Sequence, residues 1–110
     1  MSEAIPEHLL SHVAERFRVL GDATRLGILR LLLQRGEMNV GDIVESLGAG
    51  QANVSKHLRI LHDAGVVRRR QSGTSAYYTV ADDSITLLCD IVCDRLRDQA
   101  HEEARIVGAR

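Results

Sequence analysis

Apolar residues in the first third of the chain recur at the three- and four-residue spacing of an α-helix. The pattern predicts a first helix that begins at residue 6 or 7 and is ended by Gly21. Asp22 stands at the N-cap position of a second helix over 23–34, which Gly36 ends. This second helix is apolar on several sides, so we expect it at the centre of the core.

Two further helices are predicted, separated by a glycine-rich turn. A short extended link, 38–40, leads to a short helix over 41–47. The turn 48–50 leads to a longer helix over 51–64, which Gly65 ends. This arrangement is typical of a helix-turn-helix, although an antiparallel helix pair in an unrelated all-α protein has similar spacing.

The helical period is lost beyond Gly65. Residues 66–71 and 76–80 predict two short strands, joined by a hairpin loop over 72–75. A last helix follows the acidic pair 82–83, one of which caps it, and runs to about residue 103. The predicted order, ααααββα, is mainly α with a small β-hairpin (α+β), and it is the order of a winged helix-turn-helix.

Length and composition indicate a small globular protein. A chain of 110 residues with 45% hydrophobic residues supports one compact domain, which we place at residues 1–110. A domain this small buries a modest fraction of its surface, so pairing with a second copy would stabilise it. Residues 1–4 carry no export signal, and no apolar stretch reaches the roughly 20 residues of a membrane helix. The expected location is the cytoplasm, without a membrane partner.

Charge is segregated along the chain, although the net charge is only −1. Residues 51–79 carry five basic side chains and one acidic one, a net charge of +4, whereas residues 82–103 have a net charge of −5. A basic middle between acidic ends is expected of a local phosphate-binding surface. Charges scattered over solvated faces, the alternative, would not predict this segregation.

The helix over 51–64 has two chemically distinct faces when its residues are placed about 100° apart. Val54, Leu58 and Leu61 gather on one side and are predicted to point into the core. The opposite side is polar and basic and carries Gln51, Ala52, Ser55, Lys56 and Arg59. Gln and Arg pair bidentately with adenine and guanine, while Ser and Lys more often hold the backbone. We predict a recognition helix whose N-terminal residues lead into the major groove of double-stranded DNA. His57, at the edge of the inner side, is expected to pack rather than contact a base.

The hairpin over 66–80 supplies a second predicted DNA-binding element, the wing. Consecutive arginines and a glycine at the tip suit a hairpin that lies along the DNA backbone or minor groove. An edge strand protected from aggregation also tolerates arginines, so the indication of DNA binding comes from the helix-turn-helix and the basic hairpin together. The predicted DNA contacts of the wing are Arg68, Arg69, Arg70, Gly73 and Thr74.

Three segments resemble the ArsR–SmtB family of bacterial winged-helix repressors. Residues 20–32 (LGDATRLGILRLL) are similar to the family's second helix, and residues 51–67 (QANVSKHLRILHDAGVV) to its recognition helix and wing entry. The closing residues 77–80 (YYTV) also fit, and the resemblance covers about residues 10–98. It implies a homodimer formed through the first and last helices, a palindromic operator, and release by an inducer. Many members of the family sense metal ions or metalloids, and others sense oxidants or sulfide.

The family's zinc ligands are not matched on the last helix. The family pattern is Asp, His, His and Glu or His; aligned from Asp82, this chain has Ser84, Arg95 and Asp98 at the remaining positions. The Cys pair that other members carry near the recognition helix is also absent, because residues 51–65 contain no Cys. Zinc sensing of that kind is therefore not expected, and the metal ligands are left unknown.

Cys89 and Cys93 are the candidate sensor residues. Four positions apart on one helix, their Cβ atoms lie about 5–6 Å apart, whereas a disulfide needs a Cβ separation near 3.8 Å. A soft thiophilic metal or metalloid ion bridges such a pair more easily, and is the candidate cofactor. Three interpretations stay open: structural packing of two small hydrophobes, soft-metal or metalloid sensing, and oxidation or persulfide sensing.

Other classes of function find little support. The chain has no P-loop, no Rossmann glycine motif, no metalloprotease motif and no nucleophile elbow, so an enzyme is not predicted. The closer alternative is a winged helix used for protein–protein contact without specific DNA binding. It would be favoured if the basic residues could be neutralised without loss of function.

Overall fold

The computed structural model describes residues 4–108 of the chain. Within this range the fold is mainly helical with a small antiparallel sheet, as predicted. A 3-10 turn, Glu7–Leu9, leads into the first helix. The elements in chain order are α1 (Leu10–Leu20), α2 (Ala23–Arg35), β1 (Met38–Asn39), α3 (Val40–Leu47), α4 (Gln51–Asp63), β2 (Val67–Ser72), β3 (Ser75–Val80) and α5 (Ser84–Gly108).

The link predicted over 38–40 is wrong in one respect, because Met38 and Asn39 form the strand β1. The sheet has the order β1-β3-β2, and Met38 pairs with Tyr78 of the central strand. The side chain of Met38 is buried in the core. A strand of two residues is too short to show alternation, so only its distant partner defines it. Val40 begins α3 instead of ending the link.

The hairpin between β2 and β3 is tighter than predicted. Ser72 and Ser75 were expected in the loop, but they pair with each other, and the loop consists of Gly73 and Thr74 alone. Gly73 has a φ of 61°, which a residue with a Cβ adopts only at a cost in free energy. The two-residue loop extends both strands by one residue towards the tip.

The core lies between α2, α3, α4, the sheet and the first turn of α5. The predicted inner side of α4 is confirmed, since Val54, Leu58 and Leu61 are completely buried. We expected α2 to be surrounded by the core, but it is buried on one side only. Leu26 and Leu33, on its other side, are 40% and 42% exposed. The completely or almost completely buried side chains include Val19, Ile28, Leu29, Ile43, Val54, Leu58, Leu61, Val66 and Ile85.

Two aspartates cap helices where the sequence predicts caps. Oδ2 of Asp22 accepts a hydrogen bond from the backbone N–H of Arg25 at 3.0 Å, in the first turn of α2. Oδ1 of Asp82 accepts from the backbone N–H of Ser84 at 3.0 Å, at the start of α5. α5 runs one turn beyond its predicted end, because no helix-breaking residue precedes Gly108.

Apolar side chains on the first and last helical segments are left uncovered by the core. Their exposed fractions range from 42% to 65%. They are Leu9, Leu10 and Phe17 at and before α1, and Leu87, Ile91, Val92 and Leu96 on α5. An apolar surface of this kind is typical of a protein–protein interface. Of the helices in the described range, none is both long and apolar enough to cross a bilayer.

Candidate nucleic-acid interface

The outer face of α4 is exposed along its whole length. All the predicted outer residues are exposed, namely Gln51, Ala52, Ser55, Lys56 and Arg59, and so are Asn53, His62 and Asp63. Arg59 is 85% exposed, and its Nε lies 4.0 Å from Oδ2 of Asp63. Such a surface pair is weak, so the guanidinium can exchange it for a DNA group. α4 therefore combines a fully buried inner side with a polar and basic outer side.

Local backbone geometry fixes the turn between α3 and α4. Gly48 ends α3 in the left-handed region with a φ of 68°, which favours glycine. Gly50 occupies the N-cap of α4 and makes no side-chain hydrogen bond to the helix. The first backbone N–H groups of α4 are consequently free of a side-chain cap, and a helix N-terminus in this state attracts phosphate.

The three arginines of β2 lie on two faces of the hairpin. Successive side chains of a strand point to opposite sides, so Arg69 lies opposite Arg68 and Arg70. All three are exposed, and Nη2 of Arg69 donates to Oε1 of Gln71 at 2.7 Å. The hairpin therefore presents basic groups on both faces, with Gly73 and its neighbour exposed at the tip.

Arg70 is held by Glu37, which directly precedes β1, and by Tyr77 of the adjacent strand β3. Its Nη2 and Nε donate to the two carboxylate oxygens of Glu37 at 2.7 and 3.0 Å. Its guanidinium carbon lies 4.9 Å from the ring centroid of Tyr77. The hydrogen bond from Arg70 lowers the pKa of the Glu37 carboxyl below its ordinary value. This bidentate pair ties the wing to the segment before β1 and leaves Arg68 and Arg69 freer to meet a ligand.

Two polar side chains are buried on the core side of α4, one from α4 itself and one from α2. His57 is 9% exposed and packs against the core side, as expected. Its Nδ1 lies 3.0 Å from Nη1 of Arg25, which is only 7% exposed. Arg25 was not predicted from the sequence to have a role. The available signal was its position early in α2, because a charged residue in a helix with apolar residues on several sides is a candidate for a buried partner.

Comparison with known proteins decides the family. The model of the family described as bacterial regulatory protein, arsR family, matches residues 22–69. An uncharacterized HTH-type transcriptional regulator of Methanocaldococcus jannaschii is 42% identical over 79 residues, which cover 72% of this chain and 89% of the relative. The chain belongs to the ArsR family.

Further relatives agree with this assignment. The arsenical resistance operon repressor of Bacillus subtilis is 36% identical over 86 residues, which cover 77% of this chain and 82% of the repressor. The solution structure of the homodimeric winged helix-turn-helix DNA-binding domain of Mb0332 from Mycobacterium bovis, described as a possible ArsR-family transcriptional regulator, is similar with a TM-score of 0.71. It is 32% identical, and the match covers 86% of this chain and 91% of that domain.

This ArsR-family chain is therefore a DNA-binding transcriptional regulator with a winged helix-turn-helix fold. ArsR-family winged-helix regulators bind DNA and act as homodimers, and a transcriptional regulator is not a class of enzyme. The matched segment 22–69 contains α2, α3, α4 and the start of β2, which together form the helix-turn-helix and its support.

The two cysteines of this ArsR-family regulator line an apolar groove. The groove has a volume of about 610 Å³ and lies between α1, α2 and α5. Its lining is almost entirely hydrophobic and includes Phe17, Leu20, Leu26, Leu29, Leu33, Leu88, Val92 and Leu96. Cys89 is half-buried in this groove, whereas Cys93 is exposed at its edge.

Burial affects the chemistry of Cys89. Desolvation raises the pKa of its thiol, and the nearby Cys93 and Asp90 raise the pKa further. A raised pKa lowers the fraction of thiolate, which is the nucleophilic form of the side chain. Over residues 4–108, nowhere do three or more His, Cys, Asp or Glu side chains gather as a metal site, so one chain offers the groove two thiols.

Proposed function

We propose that the chain is a homodimeric repressor, built as a single winged helix-turn-helix domain, that binds a palindromic operator. The observation that carries the proposal is the outer face of α4, which is exposed and basic while the inner face is completely buried. This face enters the major groove, with Gln51 and Arg59 placed to contact base edges and Lys56 to contact phosphate.

The wing supplies a second set of DNA contacts. Arg68 and Arg69 contact the backbone or minor groove beside the recognition helix, and Gly73 and Thr74 bring the tip close to the DNA. Arg70 serves mainly to hold the wing, because Glu37 already occupies its guanidinium. A basic helix and a basic hairpin adjacent in one fold favour DNA binding over use as a protein–protein contact module.

The dimer forms through α1 and α5. Phe17 is 57% exposed and Ile91 65% exposed, and both helices carry further uncovered apolar side chains. Burial of these side chains against a second copy removes apolar surface from water, which stabilises association. A two-fold dimer presents two recognition helices, which matches a palindromic operator.

The inducer acts at Cys89 and Cys93. Two thiols in an apolar groove suit a soft, thiophilic metal or metalloid ion, which displaces the thiol protons and bonds to sulfur. The raised pKa of the Cys89 thiol disfavours both oxidation and metal binding, because both use the thiolate, so the preference for a bridging ion rests on the four-residue spacing of the pair. Two chains of a dimer together supply four thiols.

The proposed DNA contacts of α4 are tested with variants that each lose one basic side chain, by measuring their binding to the operator. We expect Arg59→Ala to abolish specific binding of a fragment from upstream of the protein's own gene, and Lys56→Ala to weaken binding to all DNA sequences alike, both measured by fluorescence anisotropy. Arg97→Ala is the matched control, because Arg97 is exposed on α5, where its Nη1 lies 3.2 Å from Oδ1 of Asp94. Operator affinity equal to wild type in Arg59→Ala would favour the protein–protein contact module.

The sensor is tested by adding arsenite, cadmium or polysulfide to the reduced complex. We expect one of these compounds to release the DNA from the wild-type protein. The same compound should not release it from the double variant Cys89→Ser/Cys93→Ser. Release by polysulfide alone would assign the pair to persulfide sensing. If none of the three compounds dissociates the operator complex, the cysteines have a role in structural packing only. The proposed repressor function would be unaffected by that result.

A further inference from the structure

Arg25 is a buried charge that joins the end of one helix to the start of the next. A guanidinium stays charged in proteins, so burying it costs free energy unless its N–H groups find partners. Nε of Arg25 donates to the carbonyl of Val19 at 2.6 Å, and Nη2 donates to the carbonyl of Arg18 at 3.3 Å. Both carbonyls lie in the last turn of α1, where the helix leaves carbonyls unpaired and its dipole is negative. Arg25 therefore caps α1 from within α2.

The remaining contact of Arg25 reaches the recognition helix. Nη1 lies 3.0 Å from Nδ1 of His57. Because arginine has no acceptor, His57 accepts this bond at Nδ1, and we infer that its ring proton lies on Nε2. Oδ2 of Asp22 is 3.9 Å from the same Nδ1, and with Nδ1 unprotonated this distance does not mark an ion pair. One buried cluster thus connects α1, α2 and α4, and no buried side-chain N or O of residues 4–108 is left without a partner.

His57 lies on the side of α4 that faces away from the proposed DNA contacts. At about 100° per residue, it is roughly 160° around the helix from Ser55 and from Arg59. The other inner residues of α4 are aliphatic, and apolar contact is non-directional, so it limits rotation of the helix about its axis only weakly. The hydrogen bond from Arg25 is directional, and it fixes the angle at which α4 presents its outer face.

The geometry points to Arg25 and His57 as positioning residues for DNA recognition, acting through α4 without touching DNA. This inference rests on the proposed use of α4 as the recognition helix. Base-edge hydrogen bonds require accurate placement of side chains, whereas phosphate contacts of long basic side chains tolerate small displacements. Loss of the Arg25–His57 bond therefore reduces binding to the operator more than binding to unrelated DNA.

Four variants separate positioning from simple stabilisation of the fold. Arg25→Met and His57→Leu remove the bond, whereas His57→Gln keeps an oxygen that accepts from Arg25. Arg30→Met is the control, because Arg30 lies exposed on the same helix and the variant loses the same charge. Affinities of full-length dimers for the operator fragment and for a scrambled fragment of equal length are measured by anisotropy. The temperature is set below the melting transition that circular dichroism records for each variant.

The expected result is a loss of operator affinity of about tenfold in Arg25→Met and His57→Leu. Affinity for the scrambled fragment should stay within about twofold of the Arg30→Met value, and His57→Gln should retain operator affinity to within about threefold of wild type. A purely structural role predicts lower melting temperatures and an unchanged ratio of the two affinities in the folded protein.

Three results would overturn the inference. One is a folded Arg25→Met whose ratio of operator to scrambled affinity equals that of wild type. If Arg25→Met does not fold, the His57 pair decides, and equal operator affinity in His57→Leu, His57→Gln and wild type overturns the inference. The third is a wild-type dimer that binds both fragments equally, which rejects the proposed function and the inference with it. Wild-type discrimination with unaffected variants rejects the inference alone.

Discussion

At the scale of single residues, side chains at helix ends hold the helix-turn-helix together. Oδ1 of Asn39 accepts from the backbone N–H of Asp42 at 2.8 Å and so caps α3. We expect Asn39→Ala to lower the free energy of unfolding by about 1 kcal/mol, the usual effect of losing an N-cap. Urea denaturation measures it, with Glu45→Ala on the exposed side of α3 as the control. Equal unfolding free energies for the two variants would contradict the capping role.

Asp82 links the start of α5 to α1 and makes stability depend on pH. Hydrogen bonds from Ser84, and then the contact with Arg16, hold the pKa of the Asp82 carboxyl below its ordinary value of 3.8. The folded state thus favours the carboxylate. Its stabilising contribution is complete above pH 3.8 and is lost as the pH falls through the lowered folded-state pKa.

The variant Asp82→Asn tests this dependence of stability on pH. This variant should unfold at lower urea concentration than wild type at about pH 7, and the difference should shrink at about pH 2. Asp83→Asn, at the neighbouring exposed position, controls for the loss of one charge. A difference between wild type and Asp82→Asn that is the same at both pH values would reject this linkage.

The residues that sequence reasoning found are those whose partners are near in sequence. Asp22 and the outer face of α4 follow from spacing within one helix, and the structure places them as predicted. Arg25 was missed because its partner His57 is 32 positions away in another helix. The pairing of Arg70 with Glu37 was missed for the same reason, since these residues are 33 positions apart.

At the scale of elements, the turn between α3 and α4 determines how the recognition helix leaves the core. Gly48 has a φ of 68°, whereas Gly50 has a φ of −68°, and neither would place a Cβ within 4 Å of another group. Gly48→Ala should therefore lower the free energy of unfolding by about 1 kcal/mol through backbone strain alone. Gly50→Ala is the control at a negative φ, and it should cost less, because it loses only the preference for glycine over alanine at the N-cap. A Gly50→Ala loss as large as that of Gly48→Ala would contradict the explanation.

Elements defined by local signals were predicted to within one or two residues at most ends. Glycines after α1, α2, α3 and α4, and aspartates before α2 and α5, mark those boundaries directly. β1 was not predicted, because its only evidence is pairing with β3 some forty positions later. The hairpin loop was predicted too long, because Ser72 and Ser75 suit a loop as well as a strand.

At the scale of the whole molecule, the uncovered apolar face of α1 and α5 predicts self-association. In analytical ultracentrifugation, we expect a molecular mass of twice the 12.1 kDa of one chain. Phe17→Asp and Ile91→Asp should shift it towards the monomer, because an unpaired charge in an apolar interface is costly. Glu103→Gln on the exposed part of α5 serves as the control. A monomeric wild type, or dimers unaffected by both aspartates, would reject the proposed interface.

The uneven distribution of charge along the chain also affects how the whole molecule interacts with DNA. The basic middle of the chain forms α4 and the wing, while the acidic segment forms most of α5. A single net charge of −1 hides this arrangement, in which phosphate is attracted on one part of the molecule and repelled from another.

A salt-dependent anisotropy titration tests whether the protein binds its operator specifically. Wild-type protein would be titrated into a labelled fragment from upstream of its own gene, and into a scrambled fragment, at several salt concentrations. We expect tighter binding to the upstream fragment at every salt concentration, with affinity for both fragments falling steeply as salt rises. Equal, weak and salt-insensitive binding to both fragments would contradict it.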